Sequence, residues 1–306
     1  MIEIAVQAQA RDATSWLEVA RKAERLGFSA LLAADHPGMR PSPFVALAAA
    51  ATVTSHIGLG SYVSNGGIRE PLLLASDVAT LDLVSGGRAR LGLGAGHTPA
   101  EWEGVGRHRP AVADRVQRCV EVAEAVRTLL GGGTVDVNTG VLRTSSTLIE
   151  PKPVSAQVPI TIGGSNSTLM RWAGEHAEVI ALSGLGKTLP DGYGHEARWR
   201  VEQFEAQLEH VLEGAMHRDT PPALEVLVQM VEVTDDPDGA VTELSNELSV
   251  PVSDLLTVPF LLVGSEDEIV TAILERRRRW GISRLVVREY AMDAIAPLLP
   301  RLEVGT

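Results

Sequence analysis

The sequence predicts a (β/α)8 barrel, and three observations lead there. Short β-type apolar runs alternate with longer helical runs along the 306-residue chain, and one strand-and-helix unit recurs near both ends. The glycine-rich stretch RARLGLGAGH (88–97) also fails as a dinucleotide fingerprint: counted from Gly92 the third glycine falls on His97, and counted from Gly94 it falls on Pro99. Strict alternation implies a parallel sheet, and eight such units close most economically into a barrel. An open doubly wound sheet is the competing arrangement.

From the start of the chain, IEIAVQ (2–7) is strand-like, and TSWLEVARKAERLG (14–27) is an amphipathic helix with Trp16, Leu17, Ala20, Ala23 and Leu26 on one side. Strand 29–35, helix 42–54, strand 57–64, helix 71–84, strand 88–95 and helix 111–130 follow. Strand 159–164, helix 166–177, strand 178–183, helix 197–216 and strand 223–233 keep the rhythm. Helices within 238–257 and over 266–280, a strand at 283–290 and a helix from 292 complete it. ERLGFSALLAAD (24–35) and RRWGISRLVVRE (278–289) repeat one pattern, in which Gly27 and Gly281 fit the left-handed position that closes a helix.

Two stretches break the alternation, about 131–158 after the fourth helix and 184–197 after the sixth strand, inside a single domain expected to span 1–306. In the first, VDV and VLR flank Asn138-Thr139-Gly140, a hairpin signal. Glycines and prolines make the second unsuited to a helix. Insertions of this kind are expected as lids or cofactor clamps on the active face.

The formal charge of −12 argues against nucleic acid phosphates or anionic membranes as partners. No apolar run approaches a membrane span, and the N-terminus carries no signal-peptide pattern, so the cytoplasm is the expected location. Cys119, the one cysteine, sits among Val112, Val116, Val120 and Ala123 on an apolar helix face and is expected as a core thiol. His56, His108, His176, His210 and His217 fall at helix ends or on polar faces and are expected in solvent, as is the run Arg276 to Arg279.

In a barrel the chemistry sits where strands end. The expected ends carry Gln7 and Gln9, Asp35-His36, Ser64-Asn65, His97, Gly163-Gly164, Ser183 and Arg288-Glu289. No lysine stands at a strand end for a Schiff base, no His and carboxylate cluster offers a metal site, and no H-E-x-x-H or G-x-S-x-G occurs. An organic cofactor is then the expected agent. Gly163-Gly164-Ser165-Asn166-Ser167 runs from an apolar strand into a helix, a backbone suited to a phosphate, with Lys187 available as a point charge. His36 and His97 are the expected proton carriers at the mouth.

AERLGFSALLAADH, SGGRARLGLGAGH followed by EW and VG, PITIGGSNSTLMRWAGEHAEVIAL and PFLLVGSEDEIVTAILERRRRWGISRLVVRE together resemble the luciferase-like monooxygenase family, in particular its coenzyme F420-dependent branch. The resemblance runs in order along nearly the whole chain. It implies a barrel with a flavin or deazaflavin ring in its mouth, often as a homodimer. By position it places His36 beside the ring, a non-prolyl cis peptide at Tyr62-Val63 with Asn65 following, the phosphate-binding turn at the backbone of Ser165 to Ser167, and a second phosphate loop at Ser183 and Gly184, with Lys187 displaced by about one position from a basic residue of some relatives. Asp35, Gly163, Gly164 and Asn166 are expected among the cofactor contacts. His97 stands where several F420-dependent members carry a carboxylate, and NGGIREP replaces the family's Asn-Pro-Tyr-Thr-Arg-His-Pro. The reading is an F420-dependent oxidoreductase acting on a small organic substrate. Its alternatives are an FMN-dependent monooxygenase and a cofactor-binding barrel without turnover.

Overall fold

The computed structural model describes residues 2–146, 148–192 and 194–303; positions 147 and 193, inside the two interruptions, and the chain's extreme ends lie outside them. In chain order the first half contains β1 (Glu3–Ala8), α1 (Ala13–Arg25), β2 (Ala30–Ala33), α2 (Pro43–Ala51), β3 (Gly58–Ser61), β4 (Ser64–Asn65), α3 (Pro71–Ser85), β5 (Ala89–Gly94), α4 (Pro99–Gly104) and α5 (Val112–Leu130). Next come β6 (Val135–Asn138), β7 (Arg143–Ser146), β8 (Ile160–Gly163), α6 (Ser167–His176), β9 (Val179–Leu182), β10 (Leu185–Thr188), β11 (His195–Ala197) and α7 (Val201–Ala215). β12 (Ala223–Leu227), β13 (Met230–Val233), α8 (Pro237–Leu248), α9 (Val252–Thr257), β14 (Leu261–Gly264), α10 (Glu266–Trp280), β15 (Ile282–Arg288), α11 (Met292–Ile295) and α12 (Leu299–Glu303) end the described chain.

The main sheet runs β3-β2-β1-β15-β12-β9-β8-β5-β4, and an added β3 to β5 pairing closes it. All its pairings are parallel. With β4 continuing β3, this is the expected closed eight-stranded barrel, ringed by helices. Gly27 and Gly281 take φ of 89° and 74°, as a left-handed closing residue requires. Phe28 donates its N–H back to the Ala23 carbonyl at 3.1 Å and is buried.

Side chains alternate across each strand, so the core has two shells. Outward residues such as Leu31, Leu59, Leu91, Ile162, Ile180 and Val287 are fully buried against the helices. Inward, Ala5, Ala30, Leu32, Tyr62, Ala181, Leu227 and Val286 form a second cluster inside the barrel. The strands therefore read as nearly continuous apolar runs, as strands covered on both faces do.

Several expected boundaries shift. The strand expected at 57–64 is split into β3 and β4 by a cis peptide between Tyr62 and Val63. The strand expected at 223–233 breaks after Leu227: Gln229 donates its N–H to the Phe260 carbonyl at 2.7 Å, and β13 pairs with β14, a strand that the sequence pattern did not reveal. A short helix, α4, precedes α5. The first interruption forms the expected hairpin, with Asn138 opposite Arg143, yet none of the described residues from 131 to 158 lines the cavity described below. Its buried residues Val135, Leu142 and Ile149 belong to the outer core, and Arg118 of α5 donates to the Val141 carbonyl at 2.8 Å, so it is a structural buttress and not a lid. Cys119 is fully buried, which pushes its thiol up to about 12. Arg276 departs from the solvated face expected of it: it is 5% exposed, and its guanidinium donates to the carbonyls of Leu256, Thr257 and Leu261.

The inward residues near the strand starts are charged. Arg284 and Arg90 reach the Glu3 carboxylate at 3.2 and 3.7 Å, and Glu225 lies buried beside them. Burial pushes the Glu225 carboxyl up to about 7 in spite of Arg284 and Arg90, and burial facing Glu225 pushes the Tyr62 phenol well above its usual range. The folded state thus holds a proton on Glu225 that the unfolded chain, at an ordinary 4.5, releases. Its contribution is present below the unfolded value and is lost as pH rises through about 7, a change worth up to roughly 3 kcal/mol. Glu225→Gln is expected to raise the melting temperature at pH 8 and to flatten the stability profile between pH 5 and 7. Calorimetry of both proteins across that range checks this; an unchanged slope refutes it.

Candidate active site

At the C-terminal ends of the strands the barrel opens into a cavity of about 730 Å³. A polar belt forms its floor. Arg288, at the end of β15, donates one arm to Gln7 Oε1 and another to Gln229 Oε1 at 3.1 Å. Both amides are thereby oriented: Gln7 donates to the Tyr62 carbonyl at 2.7 Å and Gln229 to the Ser183 carbonyl at 2.9 Å. Above the belt, Tyr62, Val63, Gly94 and Gly163 line the wall.

The three glycines of GLGAG owe their identity to neighbours across the sheet. A Cβ on Gly92 would collide with the Ser61 carbonyl and sit 2.9 Å from Val63, one on Gly94 would sit 2.9 Å from Val63, and one on Gly96 would overlap the Asn65 carboxamide. Gly96 also has φ of 70°. The stretch makes room for β4 and the turn before it.

His36 follows β2, and its Nδ1 lies 2.6 Å from Oε1 of Glu101, in the first turn of α4. The other Glu101 oxygen accepts from Asn65 Nδ2 at 2.5 Å, and Asn65 Oδ1 accepts from the Gly67 N–H at 2.9 Å. Burial alone would raise the Glu101 carboxyl, but hydrogen bonds from His36 and Asn65 outweigh it and hold it below the usual carboxylate range. An ionised carboxylate can only accept, so Nδ1 of His36 carries the hydrogen and Nε2 is left to gain or release a proton. His97 is different. Burial, reinforced by His195 and His36, pushes it down to about 4, and it is neutral at pH 7. Its ring lies 5.9 Å from that of His36 and 4.3 Å from that of His195, and its Nε2 is 3.1 Å from Thr98 Oγ1.

The structure brings nearly all of the expected positions together. Asp35, His36, Tyr62, Val63, Asn65, His97, Gly163, Gly164, Ser165, Asn166, Ser167, Ser183 and Lys187 all line the cavity. Gly184 does not: its carbonyl accepts the Arg198 N–H at 2.7 Å, and its Cα packs against Phe260 and Trp199. Asp35 is clamped by Nη2 and Nε of Arg69, at 2.7 and 3.0 Å, so its carboxylate is committed within the protein. The second interruption forms a hairpin, β10 and β11, that brings Leu185, Lys187 and His195 to the rim. Asn166 caps α6 by accepting the Leu169 N–H at 3.1 Å. His210, expected in solvent, lines the cavity from α7.

Glu101, Arg109, Arg115, His195 and Arg198 were not singled out from the sequence. Glu101 had one available signal, its position four residues after His97 on a helix begun by Pro99. No local pattern marks the others, which reach the mouth from a loop, a helix and a hairpin. Among the described residues no group of three or more His, Cys, Asp or Glu is placed to hold a metal ion, and no helix is long and apolar enough to cross a membrane.

The family model for luciferase-like monooxygenases matches residues 2–251. A 5,10-methylenetetrahydromethanopterin reductase from Methanopyrus kandleri is 30% identical over 45% of this chain, and the match spans 42% of that relative's length. The structure of coenzyme F420-dependent tetrahydromethanopterin reductase from Methanopyrus kandleri superimposes with a TM-score of 0.75 at 20% identity, covering 98% of this chain and 99% of the other. The oxygenating constituent of 3,6-diketocamphane monooxygenase from Pseudomonas putida, in complex with FMN, gives 0.72 at 18% identity over 99% and 96%. These two likenesses establish a shared fold.

The neutral state of His97 has a measurable signature. Its imidazole nitrogens are expected to titrate near pH 4 in ¹⁵N NMR spectra, and a midpoint near the ordinary 6.5 refutes the described burial. Because the unfolded chain takes up that proton first, the fold loses stability as pH falls from 6.5 toward 4.

Proposed function

The chain belongs to the luciferase-like monooxygenase family, and on that premise we propose that it is an oxidoreductase moving hydride between a deazaflavin of the F420 type and a small organic substrate. One observation carries the proposal: two imidazoles face one cavity, His97 held neutral by burial and His36 with its tautomer fixed by Glu101. Hydride transfer to a carbonyl carbon must be matched by a proton to its oxygen.

The residues present fit the cofactor. The cavity volume of about 730 Å³ lies within the range of cofactor sites. Ser165 to Ser167 line it at the start of α6, where Asn166 satisfies only one of the free N–H groups, so a phosphate finds donors and a favourable dipole there. Lys187 adds a point charge. Gly163, Gly164 and Ser183 extend the same wall, and Tyr62, Val63 and Asn65 line the side that would face the ring. When bound, the deazaflavin supplies or accepts hydride at its C5 carbon. His36 Nε2 holds the exchanged proton, Glu101 orients His36, and neutral His97 offers a second donor or acceptor. The hairpin carrying His195 limits access of water.

We infer a homodimer from the outer faces of α2 and α3. These adjacent helices expose Val45, Leu72, Leu73, Leu83 and Val84, and Asp82, an acid of α3, is turned inward to accept from Val154 and Ser155 N–H groups. An apolar face of this kind suits a second copy.

Titration of the purified protein with F420 and with FMN tests the cofactor assignment; tight FMN binding without F420 binding overturns it. His36→Ala is expected to lower turnover of reduced F420 with a carbonyl substrate panel by about 10² to 10⁴, and His97→Ala by less. Full activity in both variants removes them from the chemistry. Light scattering is expected to give twice the 32.6 kDa of one chain, and Leu73→Asp to return it to the single-chain mass.

A further inference from the structure

We propose that Arg109 and Arg115 form a second anion subsite, beside His97, that takes a carboxylate of the substrate. This rests on the reading above in one respect, that a cofactor fills the rest of the mouth.

Both arginines line the cavity, Arg109 from the loop before α5 and Arg115 from its first turns. Arg115 is 8% exposed. Its Nη1 donates to the carbonyl of Gly96 at 2.5 Å, next in sequence to His97. Among the described residues, the Nε atoms of both arginines are buried without an acceptor and neither side chain forms an ion pair. Other cations here are answered: Arg69 by Asp35, Arg118 by Glu70 and the Gly67 carbonyl, and Arg288 by two glutamine oxygens.

The local field makes the missing partner conspicuous. Two like charges share a partly buried wall, and burial with Arg109 pushes Arg115 down to about 10. Both also stand at the start of a 19-residue helix, whose N-terminus is itself positive and whose cap, Ala111, supplies no side-chain acceptor. A bound anion removes all three penalties at once.

Geometry and chemistry select the anion. Guanidiniums present paired donors that match a planar carboxylate. The charge of Arg109 acts on His97, so a molecule anchored there by a carboxylate places its neighbouring atoms at the imidazoles. Phosphate donors are already provided elsewhere, at the start of α6.

Succinate is the probe, titrated into uniformly ¹⁵N-labelled protein with and without bound F420. Saturable shifts of the Arg109 and Arg115 Nε–Hε signals are expected, with an upward move of the His97 midpoint. Arg109→Gln, which breaks no hydrogen bond among the described residues, is expected to weaken succinate by about tenfold or more while F420 and FMN bind as before. Loss of cofactor affinity by a similar factor in Arg109→Gln or Arg115→Lys overturns the proposal, because the pair then holds the cofactor's own phosphate or carboxylates. Absence of saturable succinate shifts in wild type also overturns it. Failure of both cofactors to bind wild type refutes the cofactor reading instead, and the succinate titration of the free protein then decides the subsite alone.

Discussion

Everything at the mouth of this barrel depends on how little can fit inside it. Eight closed strands leave an interior that small side chains nearly fill, and here Ala5, Ala30, Leu32, Ala181 and Val286 do so. Above them one cation, Arg288, binds two amide oxygens, and the amides turn their N–H groups onto the carbonyls of Tyr62 and Ser183. The ends of β1, β3, β9 and β12 are thus fixed relative to one another by a single guanidinium. The floor under the cavity is polar, satisfied and rigid, so chemistry is confined to what lies above it.

The electrostatics of the molecule divide along the same line. The chain carries twelve more acids than bases by formal count, giving −12, yet Arg109, Arg115, Lys187, Arg198 and Arg288 all line the cavity. The acids that approach it are engaged: Asp35 by Arg69 and Glu101 by His36 and Asn65. A negative exterior around a positive mouth sends anions to one place, and nonspecific contact with polyanions is disfavoured everywhere else.

Much of this was legible in the sequence because strand alternation is a local property. Asp35, His36, Asn65, His97 and the Gly163 to Ser167 turn were all found by asking which residue ends each apolar run. Gly184 was misplaced by one position: it packs outward against Phe260, while Ser183 and Leu185 face the cavity. What escaped notice depends on contacts distant in sequence. Glu101 acquires its role from His36, 65 residues earlier, and Arg276 is buried because three carbonyls near residue 260 happen to need donors. The hairpin at 135–146 was recognised, but which face it would cover was not, since its apolar residues match the outer core as well as any lid.

The packing of Val63 and Asn65 into the glycine slots of β5 limits how this protein can diversify. A side chain added at position 92 meets the Ser61 carbonyl, and one at 94 or 96 meets the side chain of Val63 or Asn65, so that wall resists variation. The α4–α5 approach and the β10–β11 hairpin touch the same cavity without being wedged into the sheet. Changes of substrate range are therefore expected to accumulate in those two segments, on a wall whose shape stays fixed.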